Sequence, residues 1–256
     1  MIIAHQTFDS FSRDLTEILK DNLCEIIIHG SYALGDFQAN LGDLDYLTVT
    51  NRSLDEEAIF RLFELHEKYR SRRHLLLHQL EGAFYPERFL KDLEGQFTGC
   101  YIGTGRKGWN TITTLQNSYM DLRLINEHGI RLLGRSPQIY NPGESEILAE
   151  QKSDLEAFKD SAKLNNDAEI RLWISIIHWC SRTLFYRANR KIGSKTEACL
   201  WCIAQHELEE FKSWFGEAES LRSPYTETKL PNKARDTCLA LLDYVDNILR
   251  NTNYLE

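Results

Sequence analysis

The stretch Ile26-Ile27-Ile28-His29-Gly30-Ser31-Tyr32-Ala33-Leu34-Gly35-Asp36, followed shortly by Gly42-Asp43-Leu44-Asp45-Tyr46-Leu47, decides how this chain is read. The β-branched run from Cys24 to Ile28 predicts a buried strand. It ends in Gly-Ser, where a tight turn begins and the backbone can approach a ligand closely. A helix starting after that turn would aim free N–H groups at an incoming phosphate, and Ser31 adds a hydroxyl donor. Asp43 to Thr50 then reads as a second strand. Residues two apart on a strand share a face, so Asp43 and Asp45 are expected to point the same way. Two adjacent carboxylates repel each other and need a cation between them. Mg²⁺ bound by carboxylates and phosphate oxygens meets that need. Taken singly, Gly-Ser reads as a turn and Asp-x-Asp as a solvated strand edge. In the order strand, Gly-Ser, loop, Asp-x-Asp strand, they predict a site for a metal-bound phosphate group.

Outward from this motif the first half alternates helix and strand. Phe8, Phe11, Leu15 and Leu19 recur at helical spacing between Phe8 and Asn22. Leu54 to Arg72 predicts an amphipathic helix, and His74 to Leu80 a third strand that delivers Glu81 at its C-terminal end. Gly95 to Asn110, with five glycines, reads as an irregular segment over the sheet. Met120 to Gly134 predicts a helix and a short strand over Ile130 to Leu133. After Asn141-Pro142-Gly143 the character changes. Glu144 to Lys163, Asp167 to Asn189, Thr196 to Gln205, Glu207 to Phe215 and Asn232 to Asn251 all have helical periodicity. A boundary near residue 140 therefore separates an α/β half from an all-helical half.

Composition sets bounds on the partners. The chain has 256 residues, 42% hydrophobic and 27% charged, which suffices for a real core. Its formal net charge of −8 does not suit non-specific nucleic-acid binding, which needs a basic footprint. It suits a cationic small substrate. No signal peptide and no membrane-spanning run are visible, so a soluble, cytoplasmic monomer without nucleic-acid or membrane partners is expected. The six cysteines lie in apolar runs. Cys199-Leu200-Trp201-Cys202 spells C-x-x-C but lacks a second ligand pair, and it reads as two helix-core cysteines.

Gly-Ser followed at this distance by Asp-x-Asp resembles the signature of the polymerase-β-like nucleotidyltransferases. The whole chain looks like the streptomycin/spectinomycin (aminoglycoside) adenylyltransferases, in which a nucleotidyltransferase domain is followed by a helical domain. Leu80-Glu81-Gly82-Ala83-Phe84-Tyr85-Pro86 resembles the segment supplying that family's catalytic glutamate. Leu124-Ile125-Asn126-Glu127-His128-Gly129-Ile130-Arg131-Leu132-Leu133-Gly134 is similar to the segment closing its first domain. Arg182-Thr183-Leu184-Phe185-Tyr186, running on to Lys191-Ile192-Gly193-Ser194-Lys195-Thr196-Glu197-Ala198, resembles its helical-domain signature.

The resemblance implies an α+β protein. Residues 1–140 would form the nucleotidyltransferase domain, a small mixed sheet flanked by helices. Residues 141–256 would form an all-helical bundle that closes the nucleotide and acceptor cleft. It further implies ATP as co-substrate, held at Gly30, Ser31, Arg182 and Lys195, with two Mg²⁺ ions on Asp43 and Asp45. Glu81 would be a general base, a metal ligand or both. The acceptor would be the hydroxyl of an aminoglycoside or aminocyclitol.

The helical half bears separately on Arg182. Arg171, Ser175, His178, Arg182 and Asn189 fall on one face at helical spacing, opposite a mostly apolar seam. That face is expected to line the cleft, and His178 to meet substrate. The positions through which the streptomycin enzymes hold their antibiotic are not recognisable, and Leu172-Trp173 stand where that family has acidic residues. Trp109 lies in roughly the right region for an aromatic contact with the acceptor. Another acceptor, such as a lincosamide, another small molecule or a protein side chain, therefore stays open. So does a toxin–antitoxin regulatory module, because Arg171 to His178 loosely resembles the Arg…His ribonuclease motif of HEPN helical domains.

Overall fold

Phe8, Phe11 and Leu15 line one side of helix α1 (Ile2–Leu19) and are fully buried, as their spacing requires. The computed structural model describes residues 2–39, 42–70, 76–103, 109–164, 170–222 and 234–251. It divides into two compact units, Met1–Pro142 and Gly143–Glu256.

The described residues of the first unit form six strands: β1 (Leu23–Ile28), β2 (Leu44–Thr50), β3 (Leu80–Pro86), β4 (Gly99–Ile102), β5 (Trp109–Ile112) and β6 (Ile130–Gly134). They lie in the order β5-β4-β3-β2-β1-β6. Only the β2–β3 pair is parallel; the others are antiparallel. A parallel pair needs a crossover, and α3 (Glu56–Arg70) lies on the chain between the end of β2 and the start of β3. The strand side chains alternate between two cores. Ile26, Ile28, Leu44, Tyr46, Leu80, Phe84 and Ile102 pack with α1 and α3. Ile27, Leu47, Val49, Ala83 and Tyr85 pack on the other face with α4 (Glu87–Asp92) and α5 (Tyr119–His128). Ser118 caps α5 by accepting from the Asp121 amide at 3.0 Å, within a reciprocal capping box.

Two expectations need correction here. The third strand does not end at Glu81; it begins one residue before it, at Leu80. Leu76 is left-handed, with φ 55°, and Leu77–Gln79 form a 3-10 turn. Positions 74 and 75 lie outside the described residues. The leucines at 75–77 imitate a strand in sequence, yet alternation between the two cores starts only at Leu80. Glu81 is thereby at the starting end of β3, which parallel pairing places beside the start of β2. The glycine-rich segment 95–110 is not wholly irregular either. It contributes β4 and the start of β5, which extend the sheet antiparallel to β3. Alternation over four residues is too brief to stand out among glycines.

Every regular element among the described residues of the second unit is helical: α6 (Glu144–Leu164), α7 (Ile170–Asn189), α8 (Lys195–Ala204), α9 (Lys212–Ser220) and α10 (Ala234–Asn251). Trp173, Ile176, Ile177 and Cys180 of α7 meet Cys199 and Cys202 of α8, Phe215 of α9, and Leu241, Leu242 and Val245 of α10 in one core. All six cysteines are buried and none is in a disulfide, so Cys199 and Cys202 are core side chains. No helix among the described residues is long and apolar enough to cross a membrane.

Candidate active site

The two halves of the sequence motif meet at Gly30. Its φ is +62°, a left-handed conformation that favours glycine. A Cβ built there would lie 2.0 Å from Asp45 Oδ2 and 2.7 Å from its Cγ. The Asp45 carboxylate therefore sits where any other residue at position 30 would place its side chain. Backbone pairing enforces the approach, because the His29 amide donates to the Asp45 carbonyl at 3.0 Å. Gly30–Ala33 then makes a single helical turn, α2, closed by Leu34 donating to the Gly30 carbonyl at 3.2 Å. Ser31 is partly exposed on that turn.

Across the sheet Asp45 pairs in register with Glu81. Facing residues of a parallel ladder project to one side, so both carboxylates lie on the face that carries Leu47 and Ala83. Asp43, Asp45 and Glu81 are all partly exposed, beyond the buried part of that face. Asp43 lies one residue before β2, at its mouth. The phenol of Tyr101 on β4 donates to Glu81 Oε1 at 2.5 Å. Its pKa is pushed well above the ordinary tyrosine value, first by burial, then by the Glu81 hydrogen bond and the charges of Glu81, Asp43 and Asp45. His29, the residue before the turn, is buried and held below the ordinary histidine pKa by that burial, against the opposing Asp121 charge and Tyr46 backbone.

Among the described residues no group of three or more His, Cys, Asp or Glu side chains is gathered to hold a metal ion. Glu81, expected as a base, a metal ligand or both, accepts from Tyr101 through Oε1. Mg²⁺ demands less of the protein. It keeps waters and is usually held by one or two carboxylates plus substrate phosphates. Asp43 and Asp45, beside a glycine turn with no side chain in the way, fit that role.

In the second unit Arg182 is partly exposed on α7, and Lys195 is exposed as the first residue of α8. Ser194 caps α8 by accepting from the Glu197 amide at 3.1 Å. His178 does not share the exposure of Arg171 and Ser175. It is buried, with Nδ1 3.5 Å from the Cys199 sulfur on α8. Of the two residues expected to act together there, Arg171 is exposed and His178 is buried. Helix α7 packs against α8, α9 and α10, so from Ile176 to Arg187 it is buried nearly all round. A reading that assumes one buried face fails there. Trp109, on β5, packs against Phe63 with ring centroids 4.7 Å apart. It is half-buried against the α1–α3 core.

Among solved structures the chain is similar to a spectinomycin adenyltransferase from Enterococcus faecialis, crystallised with ATP and spectinomycin. The match has a TM-score of 0.66 over 96% of this chain and 99% of that one, at 14% sequence identity. The chain shares that protein's fold, a mixed sheet flanked by helices followed by a helical region. No family model matches it, and no curated protein matches it in sequence. At this identity the likeness speaks for the fold, and the residues of the site must argue for themselves.

Sequence reasoning missed Tyr101 and His29. Tyr101 stands in the glycine-rich segment 95–110, where strand alternation is too brief to point it at Glu81. His29 precedes Gly30 directly, and its pairing opposite Asp45 was legible in principle, had β1 and β2 been read as antiparallel neighbours.

Proposed function

We propose that this chain is a nucleotidyltransferase that moves AMP from ATP to a hydroxyl of a small acceptor, releasing pyrophosphate. One observation carries the reading: the Asp45 carboxylate lies against the side-chain-free Gly30 and in register with Glu81. It puts the Gly30–Ser31 turn, Asp45 and Glu81 at one end of one sheet, which supports a role for the turn toward phosphate and for the carboxylates toward Mg²⁺ and the acceptor.

ATP would lie with its phosphates at the Gly30–Ser31 turn. Arg182 and Lys195 would offset phosphate charge, a role that rests on the sequence resemblance. Mg²⁺ held by Asp43 and Asp45 would neutralise charge on the phosphate oxygens. Glu81 takes the proton from the acceptor hydroxyl as its oxygen attacks the α-phosphorus. The new bond is acceptor oxygen to α-phosphorus, and the bond between that phosphorus and the bridging oxygen to the β-phosphorus breaks. Pyrophosphate carries away the bonding pair. Most of the catalysis is positioning and charge neutralisation.

The acceptor class we favour is an aminoglycoside or aminocyclitol. Two observations support it: the net charge of −8, which favours a cationic partner, and the likeness to a protein crystallised with spectinomycin. The test is a pyrophosphate-release screen of ATP and GTP against an antibiotic panel, with mass spectrometry of the product. The expected result is one acceptor heavier by an adenylyl group, formed by the wild-type protein and not by a folded Asp45→Asn variant. Equal pyrophosphate release by both proteins, or no adenylylated product from any acceptor, would overturn the reading.

A further inference from the structure

We infer that Tyr101 is a positioning residue for Glu81, an inference that rests on the transferase reading above. The sheet makes the arrangement. β4 runs antiparallel beside β3 with Tyr101 opposite Ala83. Glu81 lies two residues before Ala83, on the same face, so Tyr101 and Glu81 are diagonal neighbours. Diagonal pairs are about 7–8 Å apart at the backbone, within reach of an aromatic and a long side chain. The methyl group of Ala83 leaves the space between them open to the phenol.

The contact is polar at one end only. The Tyr101 ring packs against the core that holds Ala83, Tyr85 and Leu47, while its hydroxyl donates to Glu81 Oε1 at 2.5 Å. An ionised carboxylate only accepts, so the phenol is the donor. Glutamate has three side-chain torsions, and unsupported it would spread over several rotamers. A donor fixed by a packed ring selects one of them. The carboxylate plane at the site is then set by the sheet and not by the substrate. Supporting contacts of this kind are what hold a reacting group within the narrow tolerance that transfer requires.

Tyr101→Phe tests this with the ring packing kept. The expected result is a kcat lower by about 10-fold, with KM for ATP unchanged, since the phenol acts through Glu81 and not on the nucleotide. The same change in a Glu81→Gln background should lower kcat by less than about 2-fold, because the residue it acts through is already disabled. A second readout needs no activity. Urea unfolding of the four proteins without ligand should show coupling between positions 81 and 101, since their hydrogen bond exists in the free protein. An equal fall in kcat in both backgrounds would overturn the inference, and so would an acceptor KM that rises with kcat unchanged. Wild-type transfer with an unaltered Tyr101→Phe variant overturns the positioning role alone. Absence of transfer by the wild-type protein refutes the transferase reading and the positioning role with it, whatever the unfolding data give.

Discussion

Gly30→Ala isolates the contact on which the site depends. Two separate costs arise. The first is conformational: at φ +62° an alanine bears the left-handed penalty of about 1–2 kcal/mol. The second is steric. The new methyl carbon would meet Asp45 Oδ2 at 2.0 Å, Cγ at 2.7 Å and Cβ at 3.0 Å, so the carboxylate must leave its place. Overpacking of this order costs about 1–3 kcal/mol, giving a total of roughly 2–5 kcal/mol. Gly35 supplies the control. It too has a positive φ, +71°, but a Cβ there meets nothing within 4 Å. Gly35→Ala should therefore show the conformational cost alone, about 1–2 kcal/mol. Native-state hydrogen exchange of the β1 and β2 amides reads the stability of the first unit without assuming that both units unfold together. The His29 amide, bonded to Asp45, is the most direct probe. Pyrophosphate release should fall by at least about 100-fold in Gly30→Ala, as expected when a catalytic group is moved by an ångström. In an Asp45→Ala background the steric cost should largely vanish, because Oδ2 and Cγ are gone. A Gly30→Ala variant that costs no more than Gly35→Ala, or that transfers at the wild-type rate, would refute this role for the Gly30–Asp45 contact.

Two further outcomes are expected. Lys195→Ala should weaken ATP binding by about 1.5–3 kcal/mol, typical of a charged hydrogen bond, while the Ser194 cap keeps α8 intact; calorimetry showing unchanged ATP affinity would remove Lys195 from the nucleotide site. Arg131→Gln should leave Glu25, 2% exposed, without the guanidinium it now pairs with. Burial raises the Glu25 pKa and Arg131 opposes that rise, so the folded protein holds this proton more tightly than the unfolded chain. Stability from this group is then fully present below the ordinary 4.5 and is lost as pH rises through the folded value. Removing Arg131 moves that folded value higher. The variant's penalty, about 1–3 kcal/mol after allowance for a third-exposed partner, should therefore appear at neutral pH and shrink in acid. A penalty equal at both pH values, measured by urea unfolding, would contradict this account.

The sequence by itself determined whatever depends on short-range regularity. Strand alternation around Asp43-Leu44-Asp45, helical spacing in α1, α6, α7 and α10, and the loss of strand patterns after residue 140 are all local properties. Each is written in residues a few positions apart, as are the Gly-Ser turn and the family resemblance built on it. Tertiary structure decided what depends on which segments meet. Glu81 joins Asp45 because β3 pairs parallel to β2, and that direction is set by a crossover, not by either strand's own residues. Tyr101 reaches Glu81 only once β4 lies beside β3. His178 carries the spacing of an exposed stripe, yet α8 brings Cys199 against it and buries it. A pattern along one helix tells which side chains share a face; whether that face meets water or another helix is fixed by the packing around it.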